Sequence, residues 1–266
     1  MRKFAILAGI LLLIALTVAQ SAALARGGME KGAVHTGGMA RVKVVGISSR
    51  PPLLPVVAQS DILPEDQIFL DRILRSLPPL CTQNLEQVVV RYTENAERGQ
   101  ATATTMILRG PLASLPENEK KEMAAVIVHE LCGHGVDLGM LRGTRESGES
   151  AYPDGHIATF NDDPSAAFYA ISWKNSEEKF SEARKDHFVT GYAMHDPFED
   201  IAESITYFAL QEQAFRERAA GNPVLAAKLR WIETYVFPEG KGLALGAGWN
   251  GSIAWDATKI AYEGGF

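Results

Sequence analysis

The sequence predicts an α+β chain built around one catalytic-sized domain, and three observations carry that expectation. Two β-rich runs, residues 87–92 and 102–108, flank a polar, glycine-containing turn and read as a hairpin. Helical patterns with apolar stripes recur at 63–77, through 114–137, from 196 onward and at 222–235. Removal of an apolar N-terminal run leaves about 240 residues, enough for a single sizeable core.

Residues 1–25 have the order of a secretory signal peptide: Arg2 and Lys3, an apolar run from Phe4 to Ala19, then the small residues Ala23-Leu-Ala25. The run is about 16 residues, short of the roughly 20 that cross a bilayer, so cleavage after Ala25 is expected rather than a retained anchor. Losing those two positive charges moves the formal net charge from -6 to -8, which disfavours nucleic acid as a partner. A soluble chain, secreted or periplasmic and without a stable membrane span, is the expectation. Residues 26–60 are rich in Gly, Pro and small residues and read as a flexible linker or arm, leaving 61–266 as the folded domain.

Within that domain, Ile68, Leu70, Ile73 and Leu77 mark a first helix ended by Pro78-Pro79. Ser114-Leu-Pro-Glu117 has the spacing of a capping box that would start the next helix, with Met123, Ile127 and Leu131 along its core face. Residues 142–154 are polar and read as a surface excursion, and 168–173 are aromatic and β-branched enough for a strand whose aromatics pack in the core. Asp196 followed by Pro197 is an N-cap and first-turn pair, opening a helix with Phe198, Ile201, Ala202, Ile205 and Phe208 on one stripe. The tail from Gly240 looks irregular. Cys81 and Cys132 are the two cysteines; in an oxidising compartment they pair, or Cys132 stays a buried free thiol, and both readings remain open.

Chemistry concentrates in His129-Glu-Leu-Cys-Gly-His134, set in an apolar helical run. On an ideal helix positions i and i+5 point about 140° apart, too far to share a metal. Either Glu130 and His134 form an ordinary exposed i,i+4 pair, or one residue is bulged out in a π turn and both imidazoles face the same way. Gly133 removes a side chain where the backbone would deform. Downstream, Glu199 and Glu203 share a helix face at i and i+4, a spacing that repels weakly unless a cation lies near.

His129 to His134 resembles the His-Glu-x-x-Gly-His motif of dipeptidyl peptidase III, and Gly133-His-x-x-Asp137 resembles anthrax-lethal-factor-like bacterial zinc peptidases. The phrase from Tyr192-Ala to Glu199-Asp-Ile-Ala-Glu203 is similar to the Tyr-Ala, Glu-Asp-Phe-Ala-Glu phrase of the same lethal-factor-like proteins. The resemblance covers these motifs and leaves out the long dipeptidyl peptidase scaffold. It implies a zincin-like fold, with a small mostly antiparallel sheet packed on the active-site helix and a mainly helical lower half. It implies Zn2+ held by His129, His134 and Glu199, with Glu203 and Asp137 behind the ligands, Glu130 as general base and Tyr192 as oxyanion stabiliser. It also makes 102–108 the candidate edge strand for a peptide or protein substrate. His195 is a possible substitute near the glutamate, whereas His156 and His187 have no motif around them. The implied activity is hydrolysis of peptide bonds; the alternatives are a catalytically silent zincin-like domain that binds a peptide or cell-wall ligand, and a metal-free exported binding protein.

Overall fold

The computed structural model describes residues 62–93, 97–139, 141 and 143–266; the expected signal peptide and arm lie outside them. It is an α+β arrangement in which a small sheet lies beside a long helix with a π-helical segment, and two further helices close the other side. No helix among the described residues is long and apolar enough to cross a membrane.

Helix α1, Pro64–Ser76, opens on a proline at its first turn and buries Leu70, Ile73 and Leu74. Its buried Asp66 accepts hydrogen bonds from the amides of Leu112 and Ala113 and from the Tyr92 hydroxyl, which anchors the helix to the sheet. A single turn, α2 (Pro79–Thr82), comes next and carries Cys81.

The sheet corrects the hairpin expectation. Strands β1 (Gln87–Arg91), β2 (Gly99–Ala101) and β3 (Thr105–Arg109) lie in the order β1-β3-β2. β1 and β3 pair in parallel from Gln87 opposite Thr105 to Arg91 opposite Arg109, and only the short β2 runs antiparallel to β3. Alternation of buried Val88, Val90, Met106 and Leu108 gives each strand its face but says nothing about its partner. β3 is therefore central, and the expectation of an edge at 102–108 is overturned; β2 occupies the edge on that side.

Helix α3, Glu117–Val128, starts after Pro116, which has no side chain able to cap it. The capping box expected from Ser114 is thus out of register, because the helix begins at Glu117 rather than placing it in the third helical position. The helix continues without a break through a π-helical segment, His129–Gly135, into α4, Val136–Gly139. The strand expected at 168–173 is instead the end of helix α5, Pro164–Tyr169, and the turn after it. Asp163 accepts the amide of Ser165 and Pro164 holds the first turn, and that start signal outweighs the β-forming composition of residues 168–173. Phe168, Tyr169 and Trp173 are buried in the core as expected.

Helix α6, Pro197–Ala220, is capped by Asp196 through the amide of Glu199, and its backbone departs from helical geometry at Gln211. Helix α7, Pro223–Tyr235, is capped by Asn222. Both starts match the sequence pattern. The tail adds a two-stranded pair, β4 (Leu245–Gly246) and β5 (Tyr262–Glu263).

Candidate metal centre

The π-helical segment brings the two imidazoles together. Wider turns close at i to i+5, so His129 and His134 share a side, with ring centroids 5.0 Å apart. Two features fasten the segment. Cys132 forms a disulfide with Cys81 of α2, which settles the pairing left open by the sequence. Gly133 lies directly on α6: a Cβ there would stand 2.6 Å from the Cβ and 2.7 Å from the Cα of Ala202.

That close approach delivers Glu199. Its Oε2 lies 3.3 Å from Nε2 of His129 and 3.6 Å from Nε2 of His134. The three ligand atoms stand within 4.8 Å of one another, and the group can hold a metal ion. Glu199 Oε2 is buried without a hydrogen-bond partner, as are Nδ1 of His129 and Oε1 of Glu203, and its place between the two Nε2 atoms leaves it available to a cation. Burial alone would raise the Glu199 carboxyl, yet the two histidines hold it well below the usual carboxylate range. Burial would likewise lower both histidines, and the surrounding carboxylates, Glu199 first, raise them instead. The cluster is an excess of negative charge around imidazoles.

Glu203 is completely buried one turn further along α6. Its Oε1 lies 3.2 Å from Nδ1 of His129, and its Oε2 accepts the Thr190 hydroxyl and, at 2.9 Å, the amide of Ala257. A proton on Nδ1 facing that carboxylate leaves Nε2 with its lone pair free, the tautomer a metal ligand needs. The start of α6 is fixed from its far side: Asp200 forms a fully buried pair with Lys228 of α7 at 2.7 Å and accepts the Trp173 indole N–H at 3.0 Å.

Glu130 is 7 % exposed, and burial raises its pKa above the ordinary value. The edge strand passes tightly over it, since a Cβ on Gly99 would lie 2.8 Å from Oε1 of Glu130. Tyr192 donates its hydroxyl to Oε1 of Glu199 at 3.1 Å, and burial raises its pKa, so it stays protonated. Asp137 is buried nearby, but it accepts the Tyr169 hydroxyl, 2.6 Å from each oxygen, and makes no hydrogen bond with a histidine among the described residues. His195 is exposed and faces Asp196, His156 is exposed, and Nδ1 of His187 accepts the amide of Arg184; none joins the cluster.

Several participants carry no motif. Thr190 holds Glu203, Lys228 neutralises Asp200, and Asp154 stands near enough to interact with His134, Asp196 and Glu199 while burial raises its pKa. A lysine at a core position of the apolar stripe of α7 was the one available signal among them. Comparison of the chain with family models, with curated proteins and with solved structures finds no match.

Proposed function

We propose that the chain is an exported zinc-dependent peptidase of the zincin kind, in which His129, His134 and Glu199 hold the metal. The observation that carries this reading is the convergence of two Nε2 atoms and an unpartnered carboxylate oxygen beside the buried Glu130. Ligand atoms about 2.0–2.1 Å from a tetrahedral zinc lie about 3.3–3.4 Å from each other, close to the 3.3 and 3.6 Å separations of Glu199 Oε2 from the two imidazoles. Two nitrogens and one carboxylate are the ligand set of zinc sites that keep a position open for chemistry. The disulfide, together with the signal-like residues 1–25, supports a secreted or periplasmic location.

His129, His134 and Glu199 would hold the zinc, which when bound would supply Lewis acidity for a carbonyl and a water of lowered pKa, about 7. Glu130, whose carboxyl burial raises above its ordinary value, takes a proton from water and passes it to the departing amine. Tyr192 keeps its proton and donates to the carbonyl oxygen as negative charge grows there. Glu203 holds His129 in orientation throughout. The outer edge of β2, beside Glu130 and without a strand partner among the described residues, supports an extended peptide as substrate.

The test is Glu130→Gln in the mature chain, with metal analysis and digestion of casein with and without chelator. The expected result is about one equivalent of zinc in both proteins and hydrolysis lower by roughly 10²–10⁴ in the variant. A variant that digests casein at the wild-type rate, or a wild type that binds no zinc, overturns the proposal.

A further inference from the structure

Trp255 is 72 % exposed, whereas Trp173 and Trp231 are buried with their indole N–H groups bonded to Asp200 and to the Pro164 carbonyl, and Trp249 lies under the Arg218 guanidinium. Single exposed apolar side chains are ordinary. What distinguishes this one is rigid backing and position. The amides of Gly191 and Tyr192 donate to the carbonyls of Ala254 and Trp255, at 2.8 and 2.6 Å, and the next residues are tied by Asp256 to Arg98 and by Ala257 to Glu203. Gly191 lies against the six-membered ring, where a Cβ would come within 2.5 Å of Cε3 and 3.0 Å of Cζ3. One side of the indole therefore rests on backbone and the remainder faces water. The ring centroid is 6.4 Å from that of Tyr192, whose hydroxyl is on Glu199. Leu245 is as exposed, at 76 %, but sits in β4 without such a link to the cluster.

We infer that Trp255 is a specificity-determining surface beside the metal cluster, receiving an apolar side chain, aromatic or branched aliphatic, from a residue that flanks the scissile bond. The inference rests on the peptidase reading and deepens it. Docking such a side chain removes water from both surfaces. Because the backbone that carries the indole is held by hydrogen bonds and the ring rests against Gly191, little main-chain ordering accompanies docking.

The experiment uses quenched peptides of one sequence in which each residue flanking the cleaved bond is in turn Leu, Phe or Ala. The ratio of kcat/KM for the Leu or Phe peptide over the Ala peptide should fall about tenfold in Trp255→Ala at one position and persist largely in Trp255→Phe. A ratio unchanged at every position in Trp255→Ala overturns the inference, even if overall activity drops. A second readout needs neither metal nor turnover: the Phe peptide, added to chelated Glu130→Gln protein, should shift its tryptophan emission to the blue, and the shift should vanish in Glu130→Gln with Trp255→Phe. Should no peptide be cleaved by wild type, the peptidase reading fails, and this emission shift alone decides whether Trp255 receives an apolar side chain; its absence overturns the subsite.

Discussion

Replacing Gly133 by alanine should push the π-helical segment away from α6 and weaken metal binding without touching a ligand. The added methyl would start 2.6 Å from the Cβ and 2.7 Å from the Cα of Ala202. An ordinary carbon contact is about 3.5 Å, so the two backbones must part by roughly 0.8 Å. Overpacking of this sort costs about 1–3 kcal/mol. The larger consequence is at Glu199, which rides on the displaced helix. Metal–ligand distances tolerate about 0.2 Å, so a shift several times that size should lower zinc affinity at least tenfold, or about 1.4 kcal/mol. Competition with a coloured chelator measures the affinity, and urea unfolding in excess chelator measures the packing loss separately. Adding Ala202→Gly removes the 2.6 Å contact but leaves the 2.7 Å approach to backbone, so rescue should be partial. If Gly133→Ala binds zinc as tightly as wild type, the two helices are not positioned by this contact and the reasoning fails.

The disulfide closes a separation of 51 residues, and loop entropy assigns it about 4 kcal/mol; Cys81→Ala with Cys132→Ala should lower the urea midpoint accordingly, and an unmoved midpoint would contradict that assignment. Asp137 gives a pH signature: burial first, against its bonds from Tyr169, raises the carboxyl from 3.8 to about 6. A group raised in the folded state stabilises fully below its unfolded value and loses that contribution as pH rises through about 6. Asp137→Asn should therefore match wild type near pH 4 and exceed it near pH 8 by about 2–3 kcal/mol in chelated protein. A difference in melting that does not grow with pH counts against it.

The grouping of His129, His134 and Glu199 was legible in part from local spacing, which gave the histidine pair, and in part from the motif resemblance, which pointed to Glu199. Histidines at i and i+5 around Gly133 are incompatible with an ideal helix and share a metal only in a π turn, and that turn is present. Asp196-Pro197 fixes where α6 begins, hence which face Glu199 and Glu203 share. The strand pairing was not legible, since alternation in β1 and β3 is identical for parallel and antiparallel neighbours. At 168–173 composition favoured a strand, but the start signal lay five residues earlier, in Asp163-Pro164. Thr190 and Trp255 were illegible for a different reason: their roles arise from contacts between distant segments, which leave no periodic trace.

The amide of Ala257 clasps Glu203, and this gives the chain a remote point of failure. The imidazoles, Glu130 and the carboxylates lie on the π-helical segment and α6, whereas the amide that helps hold Glu203 comes 54 residues after it in the chain. A nick or a bulky fusion near residue 257 should then loosen Glu203, and with it the setting of His129, although no residue of the cluster itself is changed.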